Sequence, residues 1–165
     1  MTASPDIDSE QVQKRPKPAR PSRPAARLAA VQALYQREMS DAKLADLLRE
    51  WHEHRLGREI EGDEFADADV DLFDEIVSGV ALASDEYDTA IQDVLAEGWS
   101  VKRLDKPMHQ LLRCGVFELT QHKRTPTGAI ISEYVDVAKA FYEAPEPGFA
   151  NGVLDSIAKK VRAAT

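Results

Sequence analysis

The stretch 106-KPMHQLLRCGVFELTQHKRTPTGAIISEYVDVAKAF-141 indicates the fold class. In its first half, apolar residues recur three and four positions apart, which is the spacing of one face of an α-helix. Thr125-Pro126-Thr127 breaks that pattern, and a second stripe with the same spacing follows. The stripes are Leu111, Leu112, Val116 and Leu119, and then Ile130, Ile131, Tyr134, Val137, Ala138 and Phe141. The stretch therefore predicts two consecutive helices.

The same periodicity extends to both sides of this stretch. Downstream, the proline-containing segment 145–148 precedes one further stripe, and upstream there are four. These five stripes begin at Leu28, Leu44, Val70, Tyr87 and Phe149. Nowhere do four or more residues alternate cleanly between apolar and polar, so no strand is predicted. The sequence therefore predicts an all-α fold of about seven helices.

The chain of 165 residues has the length of one domain with a flexible extension. Residues 1–22 contain four prolines and only two large aliphatic residues, which predicts a disordered, basic N-terminal arm. We expect an N-terminal helical subdomain over residues 23–82, with an acidic loop at residues 57–68. A C-terminal helical subdomain over residues 83–165 would complete one compact domain.

The net charge of −8 conceals a strong separation of charge along the chain. Residues 11–27 carry six basic side chains and no acid, whereas residues 59–75 carry nine acidic side chains and no base. Residues 102–124 add six bases against two acids. The total alone argues against a nucleic-acid partner. Because the acidic stretch accounts for the whole deficit, the two basic segments keep that class of partner open.

Residue types that could support catalysis or metal binding do not converge in the sequence. His52 and His54 would point about 200° apart on a helix, so both cannot bind one ion. Cys114 lies in an apolar helical stripe with no base on its face, which predicts a buried structural cysteine. No glycine-rich phosphate loop or nucleophile elbow occurs. We therefore predict a binding protein, not an enzyme, with no cofactor and no metal.

Cysteine content and hydropathy bear on the location of the protein. A single cysteine fits a reducing compartment. The chain has no run of 18 apolar residues that could span a membrane, and its N-terminus has no apolar core typical of a secretory signal. These features predict a cytoplasmic protein without a membrane partner.

The basic arm is the strongest candidate for a binding site. Arg23 and Arg27 are four residues apart at the start of the first predicted helix, so they can share one face. Arginine suits phosphate because its planar fork donates two parallel hydrogen bonds, and a helix N-terminus adds positive potential. Single-stranded RNA also needs aromatic stacking partners, for which we select Tyr35 and Phe149. Core packing is the alternative interpretation of both aromatic residues.

Several segments together resemble one family. The first helix, 23-RPAARLAAVQALY-35, is similar to the first-helix signature of the NusB family of bacterial transcription antitermination factors, and 150-ANGVLD-155 resembles its last-helix signature. Leu112-Arg113, Phe117-Glu118-Leu119 and 131-ISEYVDVAK-139 fit the middle of the family pattern. The resemblance covers about residues 20–162.

This resemblance implies an all-helical fold of two stacked three-helix bundles. It implies a factor that pairs with NusE, a small-subunit ribosomal protein, and binds the boxA element of nascent RNA, chiefly from ribosomal RNA operons. The pair would join the transcription elongation complex and keep RNA polymerase elongating. The implied NusE contact is Glu133. The implied RNA contacts are Arg20, Arg23, Arg27, Tyr35 and Phe149.

Two other interpretations fit the sequence. Some RNA methyltransferases carry a NusB-like helical domain before a catalytic domain, and the chain would then be such a module in detached form. A full methyltransferase is not expected, because no glycine-rich nucleotide-binding stretch occurs. The chain would otherwise be a homodimeric helical scaffold that binds no RNA. A homodimer is also compatible with the first interpretation.

Overall fold

The computed structural model describes residues 21–57, 65 and 67–163. Over these ranges the chain forms seven α-helices and one short 3-10 helix, and it forms no strand, as the periodicity predicts. Residues 1–20 of the predicted arm, including Arg20, and most of the predicted acidic loop lie outside the described residues. Among the described helices, none is long and apolar enough to cross a membrane. The helices are α1 (Arg23–Ser40), α2 (Leu44–His54), α3 (Val70–Leu82), α4 (Ser84–Gln92), α5 (Lys106–Gln121), α6 (Thr127–Phe141) and α7 (Glu146–Val161), with the 3-10 helix at Val101–Arg103.

Local side-chain chemistry explains where several helices begin and end. Asp67 and Asp69 both precede the stripe of α3 and are the candidates for its cap. The Asp69 carboxylate accepts a hydrogen bond from the Leu72 backbone N–H at 3.1 Å, so Asp69 is the cap. Ser84 and Asp85 precede the stripe that begins at Tyr87, which makes them candidates for capping α4. No side chain caps this helix, and the Ser84 hydroxyl donates to the Val80 carbonyl at 2.9 Å instead. A glycine after a helical stripe often ends the helix, which suggests that α4 stops at Gly98. The helix ends six residues earlier, at Gln92. A polar side chain therefore caps the start of α3, whereas neither boundary of α4 is marked by the residue that the sequence suggests.

The seven helices share one apolar core around α5. One group of three helices comprises α1, α2 and α3, and the other comprises α5, α6 and α7. The helix α5 packs against α1, α3 and α4 as well as against α6 and α7, so it connects the two groups. Its ten buried residues extend around most of its circumference. Burial on that scale provides the main stabilisation of such a fold.

Phe117 occupies a slot that a glycine creates between α3 and α5. A Cβ atom added to Gly79 would lie 2.2 Å from a ring carbon of Phe117, so no larger residue fits there without displacing the ring. Phe117 is not part of the apolar stripe read from the sequence and would flank it, yet the structure buries its side chain. The glycine on the neighbouring helix is the reason.

The relative directions of the helices determine which residues can form a surface together. The Gln110 amide donates to the Glu38 carboxylate at 2.8 Å, so the end of α1 lies beside the start of α5. The two helices are therefore antiparallel, and the start of α1 lies beside the end of α5. The Met108 backbone N–H donates to the Tyr142 hydroxyl at 3.0 Å, which places the connection between α6 and α7 at the opposite end of the molecule from Arg23.

Candidate nucleic-acid interface

The start of α1 is an exposed, positively charged helix end. The Ser22 hydroxyl accepts a hydrogen bond from the Ala25 backbone N–H at 3.1 Å and caps the helix. Arg23 is exposed, and the first turn contains no acidic residue. The helix dipole and the arginine therefore add to one positive potential at this end.

Two backbone hydrogen bonds fix the chain that leads into this helix. The Ser22 N–H donates to the Asp67 carbonyl at 2.6 Å, and the Asp69 N–H donates to the Ser22 carbonyl at 2.9 Å. Together they form an isolated parallel bridge between Ser22 and Ala68. The backbone at Ser22, directly before Arg23, is thus attached to the segment that enters α3.

An open groove of about 450 Å³ runs between the start of α1 and the start of α6. Arg23 and Pro24 line one side, and Thr125 and Ala129 line the other. Two further residues, Arg27 and Glu133, also contribute to its lining. Lys123 and Arg124 are exposed and directly precede Thr125 in the loop between α5 and α6. We call Arg23, Lys123 and Arg124 the basic rim.

Arg162, which the sequence did not single out, holds the loop that carries two residues of the basic rim. Its guanidinium donates to the carbonyls of Thr125 at 2.7 Å, His122 at 2.9 Å and Leu119 at 3.0 Å. These carbonyls belong to the last turn of α5 and the following loop, where helical partners are missing. Arg162 therefore holds the backbone of this loop, and the side chains of Lys123 and Arg124 stay exposed.

Arg23 and Arg27 line the same groove, as their spacing predicts, but the prediction that Arg27 is free to bind phosphate does not fit its surroundings. Arg27 is only 4% exposed. Its Nε and Nη2 atoms donate to the two carboxylate oxygens of Glu118 at 2.8 and 3.0 Å, and Nη1 lies 3.4 Å from Oε2 of Glu133. Because Glu118 on α5 is fully buried, it draws the guanidinium away from solvent. Arg27 is therefore occupied by carboxylates and does not offer its fork to a phosphate.

Glu118 is the centre of a buried polar network. The Tyr134 hydroxyl donates to Glu118, and Nδ1 of His122 lies 3.0 Å from the same carboxylate. The other ring nitrogen of His122 lies 2.5 Å from Glu75 on α3. The network thus joins α1, α3, α5 and α6 at one point beneath the groove.

The charges in this network shift the pKa values of its members in definite directions. Burial would raise the pKa of Glu118, but the hydrogen bonds and charge of Arg27, together with the other donors, lower it below its usual value. Burial would lower the pKa of Arg27, but Glu118 outweighs that effect and raises it. Burial and the Glu118 charge raise the pKa of Tyr134. The carboxylate and the guanidinium therefore remain ionised as a pair.

The two proposed stacking residues do not lie at the basic rim. Tyr35 is half-buried and follows Arg23 by twelve residues, which is about 18 Å along α1. Phe149 is 40% exposed in the first turn of α7, at the other end of the molecule from Arg23. An RNA strand would have to follow α1 to contact all three residues. Glu133, the predicted NusE contact, lies in the groove beside Arg27.

The remaining candidate residues have structural partners. His109 and Arg113 both bind the Asp88 carboxylate, at 2.6 and 2.8 Å, which joins α4 to α5. Nε2 of His52 lies 2.6 Å from a carboxylate oxygen of Asp74. Cys114 is buried, as predicted, and burial raises the pKa of its thiol. In the described ranges, no group of three or more His, Cys, Asp or Glu side chains is placed to hold a metal ion.

Comparison with protein families and with individual proteins gives a consistent result. The model of the NusB family matches residues 24–159. The transcription antitermination protein NusB of Sphingopyxis alaskensis is 57% identical over 141 residues, which cover 86% of this chain and 95% of that protein. The protein of the same name from Novosphingobium aromaticivorans is 52% identical over 141 residues, which cover 86% of this chain and 95% of that protein.

Solved structures show the same likeness. T. maritima NusB matches with a TM-score of 0.70 and 27% identity, covering 86% of this chain and 93% of that one. A structure of the antitermination factors NusB and NusE in complex with double-stranded RNA matches with a TM-score of 0.68 and 25% identity, covering 83% of this chain and 96% of that one. The all-helical architecture and its order of helices are thus those of solved proteins.

Proposed function

Because the chain belongs to the NusB family, we propose that it acts as a transcription antitermination factor that binds boxA RNA together with NusE. The family membership supports antitermination and RNA binding. The boxA element, the ribosomal RNA operons and the elongation complex are the more specific parts of the proposal. As an assembly factor, the protein would bind and position RNA and would not catalyse a reaction.

The observation that supports RNA binding most directly is the basic rim on a chain of net charge −8. Arg23 lines the groove, and Lys123 and Arg124, which come from a distant part of the sequence, directly precede Thr125, which also lines it. Phosphate contacts of this kind provide affinity for any RNA strand, and contacts to bases provide sequence preference. The solved relative that contains NusB, NusE and RNA supports the same two partners.

We further propose that the RNA continues from the basic rim along α1. Tyr35 would then stack on one base, and Phe149, which is 40% exposed, on another beyond the end of α1. In this proposal Arg27 does not contact RNA but holds the start of α1 against α5 through Glu118. Arg20 would extend the basic rim along the arm.

The proposal predicts that NusE and boxA RNA bind the protein cooperatively. Labelled boxA RNA is titrated with the protein alone, with NusE alone and with the equimolar pair. We expect the pair to bind at least about tenfold tighter than either component, equivalent to about 1.4 kcal/mol of coupling. By reciprocity, RNA should strengthen the protein–NusE interaction by the same factor. Affinity of the pair no greater than that of the tighter component would contradict the cooperative mechanism.

The same titration distinguishes the alternative of a homodimeric scaffold. If the protein binds neither boxA RNA nor NusE, and light scattering gives the mass of a dimer at all concentrations, the scaffold interpretation replaces the proposal. A scrambled RNA of equal length serves as the control for phosphate-only binding, which should be weaker and more sensitive to salt.

A further inference from the structure

Glu133 is an acidic side chain in a groove with a basic rim. It is 36% exposed, and its Oε2 atom lies 3.4 Å from Nη1 of Arg27. Among the residues that the structure describes, Arg27 is the polar partner of the Glu133 carboxylate. The Oε1 atom accepts no hydrogen bond from these residues. The carboxylate therefore has lone pairs available to a ligand in the groove.

The residue that attracts this carboxylate, Arg27, is itself held by a buried partner. Arg27 is held by two hydrogen bonds to Glu118, which is itself fully buried and bound by Tyr134. Nη1 is the part of the guanidinium that remains for Glu133. The groove consequently presents Nη1 of the Arg27 guanidinium, which Glu118 holds, next to the carboxylate of Glu133.

A carboxylate next to bound phosphates is unfavourable unless it forms a bond of its own. Two like charges at close range repel each other, and more strongly beside a protein surface than in bulk water. A hydrogen bond donated by the ligand offsets this repulsion. Unpaired RNA bases provide such donors on their Watson–Crick edges, which are accessible only in single strands.

We propose that the groove binds one unpaired RNA base and that Glu133 recognises the exocyclic amino group of that base. This inference rests on the proposed RNA-binding function. The phosphate of the same nucleotide would meet Arg23 at the rim, and the ring would lie between Pro24 and Ala129. The volume of about 450 Å³ is within the range of small-ligand sites, which begins at about 300 Å³.

The chemistry selects among the four bases. Adenine, cytosine and guanine carry an amino group that donates to a carboxylate. On the Watson–Crick edge of uracil, the single N–H lies between two carbonyl oxygens, which would face the Glu133 carboxylate unfavourably. The site therefore favours amino-bearing bases over uracil.

The test compares the affinities of short adenine, cytosine and uracil oligoribonucleotides for the full chain in complex with NusE. We expect the wild-type protein to bind the adenine and cytosine oligomers about tenfold tighter than the uracil oligomer, within the range of one good base contact. In E133Q the amide oxygen would stay next to Arg27, and the amide NH2 would face the groove. This donor suits the uracil carbonyls, so the preference should be lost or reversed.

A matched control separates base recognition from simple repulsion. Asp136 is exposed on the same helix, and D136N changes the charge by the same amount. The proposal fails if E133Q, like D136N, tightens the binding of all three oligomers by the same factor. Glu133 would then only repel phosphate. It also fails if E133Q weakens NusE binding while the ratios between oligomers stay unchanged. If the wild-type complex binds no RNA, the proposed function fails as well.

Discussion

The variant R27M should lose about 3–5 kcal/mol of its free energy of unfolding, although it changes one side chain of 165 residues. The substitution leaves the Glu118 carboxylate buried without its guanidinium partner, and removing one member of a buried ion pair has this order of cost. Urea denaturation followed by circular dichroism measures the change. We expect the midpoint to fall without a change in slope.

Two variants serve as controls for the buried ion pair. Arg49 is 65% exposed on α2, so R49M should change stability by no more than about 0.5 kcal/mol. The double variant R27M/E118Q removes the uncompensated charge and retains groups that can bond Tyr134 and His122, so it should be more stable than R27M alone. Stability of R27M equal to that of R49M would show that the pair does not stabilise the fold.

The effect of R27M should depend on pH in a definite direction. Because the pKa of Glu118 is lowered in the folded protein, its ionised form contributes stability above its unfolded pKa. That contribution is lost as the pH falls through the lower, folded pKa. In R27M the carboxylate protonates more easily, so the stability difference from the wild-type protein should be smaller near pH 4 than at pH 7.

The second large effect is expected on RNA binding when the basic rim is removed. Each phosphate contact to a single strand contributes about −0.7 to the slope of log affinity against log salt, so R23A/K123A/R124A should reduce the slope by about 2. If the affinities of both proteins converge near 1 M salt, the loss at 0.1 M salt is about a hundredfold, or about 2.8 kcal/mol. Filter binding of labelled RNA at four salt concentrations gives both quantities.

The control for this prediction removes three charges at the opposite end of the molecule. Lys102, Arg103 and Lys106 are exposed near the start of α5, away from the start of α1. Their replacement by alanine has the same effect on net charge but should change the slope by less than the rim variant does. Equal losses in the two triple variants would mean that the basic rim has no special part in RNA affinity.

The sequence predicts the architecture because helical periodicity is a local property. Each stripe can be identified from neighbours three and four residues apart, and the Asp69 cap follows from its place just before the stripe of α3. Helix ends are harder to predict, since α4 stops at Gln92 without a residue that marks the end. The family resemblance adds the order of the helices and their grouping.

The site is predicted less completely because it depends on contacts between distant residues. Arg23 and Arg27 look equivalent in sequence, and only Glu118, 91 residues further on, draws Arg27 into the interior. The rim residues Lys123 and Arg124 belong to a basic segment that the sequence shows. They lie on the same side of the molecule as Arg23 because α1 and α5 pack antiparallel, which the sequence does not show. Charge segregation gives the class of ligand, and the fold decides which charges can bind it.

Phe65 shows a similar limit within the acidic segment. This segment is poor in large apolar residues, which predicts a loop. Phe65 is nevertheless buried, and its ring centroid lies 5.4 Å from that of Trp51 on α2. A single aromatic residue in a run of acidic residues was the signal that could have identified this contact.

Cross-linking of boxA RNA to the protein–NusE complex tests the central claim most directly. The RNA carries 4-thiouridine at successive positions, and mass spectrometry identifies the cross-linked peptides. We expect cross-links to peptides that contain Arg23 and to the loop with Lys123 and Arg124, and these should disappear in R23A/K123A/R124A. Cross-links confined to the start of α7 around Phe149, with none at the start of α1 or in that loop, would contradict the account.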